Sequence, residues 1–445
     1  MTTKTLTPAL VFDKKTRGDV HILKELALVS GGQFLGAGFG LLAVLLTTHM
    51  LTVEEFGLFT IFLTTETIAV ELTGKSLDWG VVRFSSYYLE QSRSKAHILL
   101  RKVFEFRLLA SVIVCLSGLL LAGPISQYIF GTASYRLPLA LGLVGAVGMS
   151  MFWFALAVLQ TYQLFVLHGL VNLINGLTKL LAVIVLLFFG LHSCAIVQVA
   201  YVTIAFATFA IAILLIPRDF LWTTGYQMGL DSREAGSLMS KFLHFSKWPV
   251  IANLFMMLHM HQSFFLLLYF AGPAEVGVYS SAWRLVFGLD LLSLSMMTVF
   301  LPKASRITNT SGFLSYSMQT LKISLPMGAL LVPLLFASEK IMTALYPDRY
   351  ADAALSLQIL LLGSLVALPA HPIALVLLAA NRPNIIAYIS FTILVLSLGG
   401  NLLLIPTYAG LGAACVAGLS KALYGVLLLF FSHISIKKCG RIIEL

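Results

Sequence analysis

From about residue 26 to about residue 434 the chain alternates apolar runs of some 20 residues with short polar breaks. A run of that length crosses roughly 30 Å of hydrocarbon when it is helical, at about 1.5 Å per residue. The breaks define twelve spans, with cores near 26–50, 56–74, 103–122, 137–159, 164–190, 194–216, 248–271, 276–300, 322–344, 353–380, 384–405 and 410–434. The pattern predicts an all-α polytopic membrane protein. The first run follows a basic segment but is too long for a signal h-region, so it reads as a retained helix. Pro217 closes the sixth span, and the polar stretch 217–247 separates two six-helix lobes, 1–216 and 248–445.

Composition agrees: 59% of the 445 residues are hydrophobic and 11% charged, too few charges to cover a water-facing surface. The net charge of +10 is a topology signal. With both termini cytoplasmic, 22 of the 29 Lys and Arg residues fall in inside segments, and only Arg136, Lys340 and Arg349 fall in outside loops. That is the asymmetry the positive-inside rule requires. Basic residues spread over six segments exclude a nucleic-acid-binding face. Cys115, Cys194, Cys415 and Cys439 are far apart and indicate neither a metal site nor a disulfide framework.

Two local patterns recur at one offset. Glu55-Phe56-Gly57-Leu58-Phe59 returns as Glu275-Val276-Gly277-Val278-Tyr279, and Gly190-Leu191-His192-Ser193 returns as Gly410-Leu411-Gly412-Ala413, each 220 residues later. Duplication of a unit with an even number of spans gives two lobes of the same orientation, related by an axis along the membrane normal. Substrate sites in such folds lie between the lobes.

An ionisable side chain deep in a membrane helix costs about 2.5 to 3.5 kcal/mol and needs a partner, water or a function. Glu66, Lys179, Arg284 and Lys421 all fall about 12 to 17 Å from the predicted outer ends. In one cavity, three cations against one carboxylate would hold a strongly anionic group such as a diphosphate, Arg284 gripping oxygens as a fork and the lysines acting as point charges. The competing reading is that Glu66 pairs with one cation and the cluster only fixes helix packing. Glu71 and Asp290, about 20 Å deep, are candidates for coupling to a proton or sodium gradient. No other cofactor is implied. Arg107, near an inner helix end, is expected to snorkel to the headgroups. His168 and His371 read as packing residues, the latter in the kink Pro369-Ala370-His371-Pro372. Gly32, Gly36 and Gly40 form a small-residue stripe for close helix packing. No nucleophile elbow, phosphate-binding loop, zinc motif or dinucleotide fingerprint is present.

Leu51-Thr52-Val53-Glu54-Glu55-Phe56-Gly57, followed by Leu77-Asp78-Trp79-Gly80 and Arg83, resembles the polysaccharide (Wzx-type) flippases of the multidrug/oligosaccharidyl-lipid/polysaccharide exporter superfamily. Glu275-Val276-Gly277 with Arg284, Leu301-Pro302-x-x-Ser305-Arg306, and Pro406 through Gly410-Leu411-Gly412-Ala413-Ala414 are similar to further members. The sequence departs from the family pattern at Leu159-Gln160-Thr161, where a basic residue is usual, and at Trp79, where leucine is usual. The resemblance implies a flippase of the cell inner membrane that moves an undecaprenyl-diphosphate-linked oligosaccharide to the outer leaflet by alternating access, for lipopolysaccharide or O-antigen synthesis. It adds Arg83 to the phosphate-binding set, and membrane lipids and a polysaccharide polymerase machinery to the partners. The rival expectations are a membrane-embedded polymerase or ligase, for which the outside loops are short, and an ion-coupled drug exporter, for which the cavity would be apolar or acidic.

Overall fold

A computed structural model describes residues 19–217, 219, 232–304, 310–379 and 382–439. Its helices are α1 (Asp19–Met50), α2 (Val53–Leu72), α3 (Asp78–Gln91), α4 (Arg93–Pro124), α5 (Arg136–Thr161), α6 (Phe165–Phe188) and α7 (Cys194–Leu215). They continue as α8 (Ser232–Phe270), α9 (Gly272–Ala304), α10 (Thr310–Phe336), α11 (Ser338–Leu345), α12 (Ala353–Ala367), α13 (Ala370–Ala379) and α14 (Pro383–Cys439). No strand occurs among the described residues.

Eight stretches are long and apolar enough to cross a membrane, or ten when the bent pairs α2–α3 and α12–α13 each count as one span. The last stretch, Pro383–Ser435, has 53 residues and is broken at Ala409, so it supplies two spans. Helix α9, with 33 residues, completes the expected twelve. The chain is a multi-pass membrane protein. Two helices outrun their apolar cores: α4 begins at Arg93, ten residues before the predicted span, and α8 begins at Ser232, inside the stretch expected as linker.

The two halves break in different places. In the first, the chain bends by 49° after α2, at Gly74, whose φ of 95° suits a residue without a Cβ. In the second, the bend is 44° between α12 and α13, at the Pro369–Pro372 kink.

The repeated patterns sit at the crossing of α2 and α9, where the halves meet. A Cβ on Gly57 would strike the carbonyl oxygen of Pro273, and one on Gly277 would strike that of Val53. One turn on, Thr60 Oγ1 donates to Ser280 Oγ at 3.0 Å. Val53 and Pro273, Gly57 and Gly277, Thr60 and Ser280 are counterparts at the offset of 220, so the contact is nearly its own mirror under a two-fold rotation. Lipid competes equally well for apolar side chains, so close backbone approach of this kind is what binds helices in a bilayer.

The two repeated patterns of each half also pack on each other. Glu275 Oε2 accepts from Gly410 N at 3.2 Å, capping the helix after the break at Ala409. In the first half Cys194 Sγ donates to Glu55 O, while Glu55 closes a capping box with Thr52. The Gly32–Gly36 pair lies against Gly169, Asn172 and Gly176 of α6, as the small-residue stripe implies, but the Cβ direction of Gly40 is open.

One apolar cluster runs through both halves at the outer end and includes Leu51, Phe56, Phe59, Tyr201, Tyr279, Tyr346, Tyr350 and Ile405. A second cluster, built on Phe152, Phe154 and Phe242, joins the first half to the start of α8, where Gly80 also lies against Ser246, and two smaller clusters in the second half include Phe300, Tyr316, Leu377 and Ile393. The halves are therefore joined at both ends, by the α2–α9 crossing with its aromatic cluster and by the packing of α3 on α8.

Candidate functional site

Glu66 on α2, Lys179 on α6, Tyr201 on α7 and Arg284 on α9 converge beneath the outer seal. Glu66 is 8% exposed and its Oε1 sits against Gly145 of α5, in space that any Cβ there would fill. Lys179 is its electrostatic partner. The Lys179 ammonium lies 5.6 Å from the centre of the Tyr201 ring, and that tyrosine also senses Arg284. The Arg284 guanidinium faces the Phe56 ring at 5.9 Å and has Tyr201 and Tyr346 as electrostatic neighbours. Tyr346 is held in place by donating to Ser281 O at 2.9 Å.

Arg284 Nε is buried without a hydrogen-bond partner, and no carboxylate pairs with this side chain among the described residues. Leaving such a donor unsatisfied costs about 1 to 3 kcal/mol or more. A retained cost of that size next to a second cation suits a site that an anion completes.

Lys421 belongs to a second group. Its Nζ donates to Ser364 Oγ at 2.9 Å, and it interacts electrostatically with His259. His259 bonds Ser397 Oγ at 2.8 Å, and Gln262 donates to the same hydroxyl at 2.6 Å. The next histidine, His261, interacts electrostatically with both His259 and Arg284. His259 and His261 thus connect the two groups of charges. They were missing from the sequence-based set, although Leu258-His259-Met260-His261-Gln262 places three polar residues within four positions of an apolar run.

One expectation is corrected, and two further residues are placed. Arg107 does not snorkel: it is 0% exposed and donates to Asp78 Oδ1 at 2.8 Å, Gly74 O at 2.6 Å and Ser150 O at 3.2 Å. It thereby ties Gly74 and Asp78 at the bend after α2 to the Ser150 carbonyl of α5. Glu71 accepts from Ser76 Oγ and has Lys75, Asp78 and Arg107 as electrostatic neighbours, so it belongs to that bend and not to the central cluster. Arg83 is exposed and lies 4.4 Å over the Phe245 ring of α8. The side chain of Asp290 falls outside the described residues. His168 is a buried residue of α6, and the His371 ring lies 6.2 Å from that of Tyr424.

No protein-family model and no curated protein matches the chain in sequence. Solved structures do match in fold. An inward-facing multidrug resistance MATE family transporter of the MOP superfamily superposes with a TM-score of 0.73 at 12% identity, over 93% of this chain and 99% of that one. The lipid II flippase MurJ, in an inward closed conformation, gives 0.69 at 15% identity, over 93% and 90%. A MOP superfamily transporter from Pyrococcus furiosus, described as having a binding pocket of reverse polarity, gives 0.66 at 13% identity, over 96% and 99%. At such identities the likeness is one of fold.

Proposed function

We propose that this chain, with a fold shared by drug exporters and a lipid flippase, is a plasma-membrane transporter that moves an undecaprenyl-diphosphate-linked oligosaccharide from the inner to the outer leaflet. The observation that carries the reading is the buried Arg284 guanidinium, with an unsatisfied Nε, beside the Lys179–Glu66 pair. A diphosphate supplies the missing acceptor. Arg284 matches phosphate oxygens as a planar fork, and Lys179 adds a mobile point charge. An organic cation would meet an uncompensated arginine, which disfavours a drug-export role.

In the mechanism the packing of α3 on α8 loosens to admit the diphosphate from the inner side, and the diphosphate stops beneath the outer aromatic cluster. The sugars occupy the wet space between the halves and the lipid tail stays in the bilayer. Reorientation of the halves then opens the outer end, and no covalent step is needed. Lys421 lies in the second-half nest with Ser364 and His259, where it adds positive potential.

The test uses purified protein in liposomes and compares transfer of a fluorescent polyprenyl-diphosphate sugar with transfer of an organic cation. The expected result is transfer of the former only, reduced at least tenfold by Arg284→Ala and clearly reduced by Lys179→Ala. Transfer of the organic cation, or full activity in both variants, overturns the reading.

A further inference from the structure

We infer that His261 is a second phosphate-contacting side chain, which reaches the phosphoryl group that Arg284 does not hold and so makes the site select a diphosphate over a monophosphate. The inference rests on the transport reading above and specifies its ligand.

His261 and Arg284 lie on α8 and α9, which are joined by a tight turn at Ala271 and Gly272, the latter with φ of 84°. The Arg284 charge acts on the His261 imidazole across that hairpin. His261 is 7% exposed, and its Nδ1 is buried without a partner, as is Arg284 Nε. Two buried nitrogens without hydrogen-bond partners, on adjacent helices of one hairpin, offer a pair of positions for oxygen. His259, two residues earlier, is committed to Ser397 and cannot serve in the same way.

Aromatic side chains fix the His261 ring. Its centre lies 5.6 Å from Trp283 and 6.0 Å from Phe264, and Trp283 stacks on Phe287 at 5.3 Å with an interplanar angle of 14°. Ring packing would be served equally well by phenylalanine, which leaves no polar atom to satisfy. The imidazole therefore keeps a cost that packing alone does not require. Lys179, whose charge Glu66 partly offsets, adds attraction for the diphosphate as a whole. His261 supplies the directed nitrogen for the second phosphoryl group.

The substitution His261→Phe keeps the ring contacts and removes the nitrogen. Trp283, adjacent to the site, reports occupancy through its fluorescence, with Trp283→Phe as the control, and calorimetry gives affinities. Farnesyl diphosphate and farnesyl monophosphate are the probes. The wild-type protein should prefer the diphosphate by about tenfold or more, the worth of one charge-assisted hydrogen bond. His261→Phe should lose that preference by binding the diphosphate more weakly, with monophosphate affinity unchanged and thermal stability equal or higher. His261→Gln, which keeps a donor, should retain part of the preference. Arg284→Ala should weaken both probes. If the wild type shows the preference and Arg284→Ala weakens both probes, but His261→Phe keeps the full preference, the role of His261 is overturned while the transport reading stands. If the wild type binds neither phosphate, or Arg284→Ala binds both as the wild type does, both fall.

Discussion

Removing the Arg107 side chain would leave Asp78 without its counter-charge and would cut the tie between the bend at Gly74 and the Ser150 carbonyl of α5. Breaking one partner of a buried pair typically costs about 3 to 5 kcal/mol. Arg107→Ala should therefore lower the melting temperature and the yield of monodisperse protein, and Arg107→Lys should rescue little, because one ammonium cannot span three acceptors in fork geometry. Equal stability of Arg107→Lys would show that charge alone matters. Glu66 makes the opposite case. Glu66→Gln frees Lys179 from its counter-charge and should tighten farnesyl diphosphate binding several-fold in a calorimetric titration; weaker binding would mean that the carboxylate positions the ligand. Both side chains stood out in the sequence as intramembrane charges, but only Glu66 received its correct neighbourhood. Counting residues from a helix end gives height in the membrane. It gives no azimuth, so Arg107 could not be seen to turn inward onto a bend that the apolar pattern passes over.

At the scale of elements the twelve spans were legible because an apolar run of bilayer length has few alternatives, whereas helix ends were not. Arg93 and Ser232 start helices well before the hydrocarbon begins, since a helix continues through polar sequence until something stops it. The offset of 220 was also legible, though the sequence could not reveal that counterparts touch one another. The glycines make a matched pair of predictions. Gly57→Ala places a methyl group against the Pro273 carbonyl and should lower thermal stability and activity together, while Gly40→Ala, in open space, should be neutral or slightly stabilising by about 0.5 to 1 kcal/mol through helix propensity. Similar melting temperatures for the two variants would refute the packing account of the crossing. At the break in α14, Ala409 has φ of 45° and ψ of −127°, a backbone conformation that favours glycine. Its counterpart at the offset is Phe189, and the first half instead places its positive φ on Gly190. Ala409→Gly should accordingly raise the melting temperature; a decrease would show that the side chain contributes more than the backbone strain costs.

For the whole molecule, the outer end is held by more than apolar packing. Arg349, from the loop before α12, donates through Nη2 to Thr48 O at 2.6 Å and Leu51 O at 2.7 Å, carbonyls at the end of α1. The Tyr350 ring meets Phe56 edge-on at 5.8 Å. These contacts bridge about 300 residues of sequence and fasten the second half to the first on the side away from the basic loops. Arg349→Ala should loosen the outer end. In a background with the native cysteines replaced by serine, a cysteine placed by Ser281→Cys, buried beneath Tyr346, should react with a membrane-impermeant maleimide from outside several-fold faster once Arg349 is lost. Unchanged labelling would show that the aromatic packing seals the end by itself. In the sequence Arg349 was only one of three basic residues on the sparsely charged side, with nothing to say that its partner was a helix terminus.

The α2–α9 crossing bears on ancestry as well as assembly. A surface on which each residue meets its own counterpart is what a six-helix chain must present to pair with a second copy of itself across a two-fold axis. If such a homodimer preceded gene fusion, any substitution at the glycine of the crossing struck both sides at once, and drift there was doubly constrained. After fusion the copies could diverge wherever they did not touch, which is where Arg284, Lys179 and Lys421 now lie without counterparts of their kind. The lineage could thus exchange a symmetric cavity for a lopsided one while its seam stayed fixed.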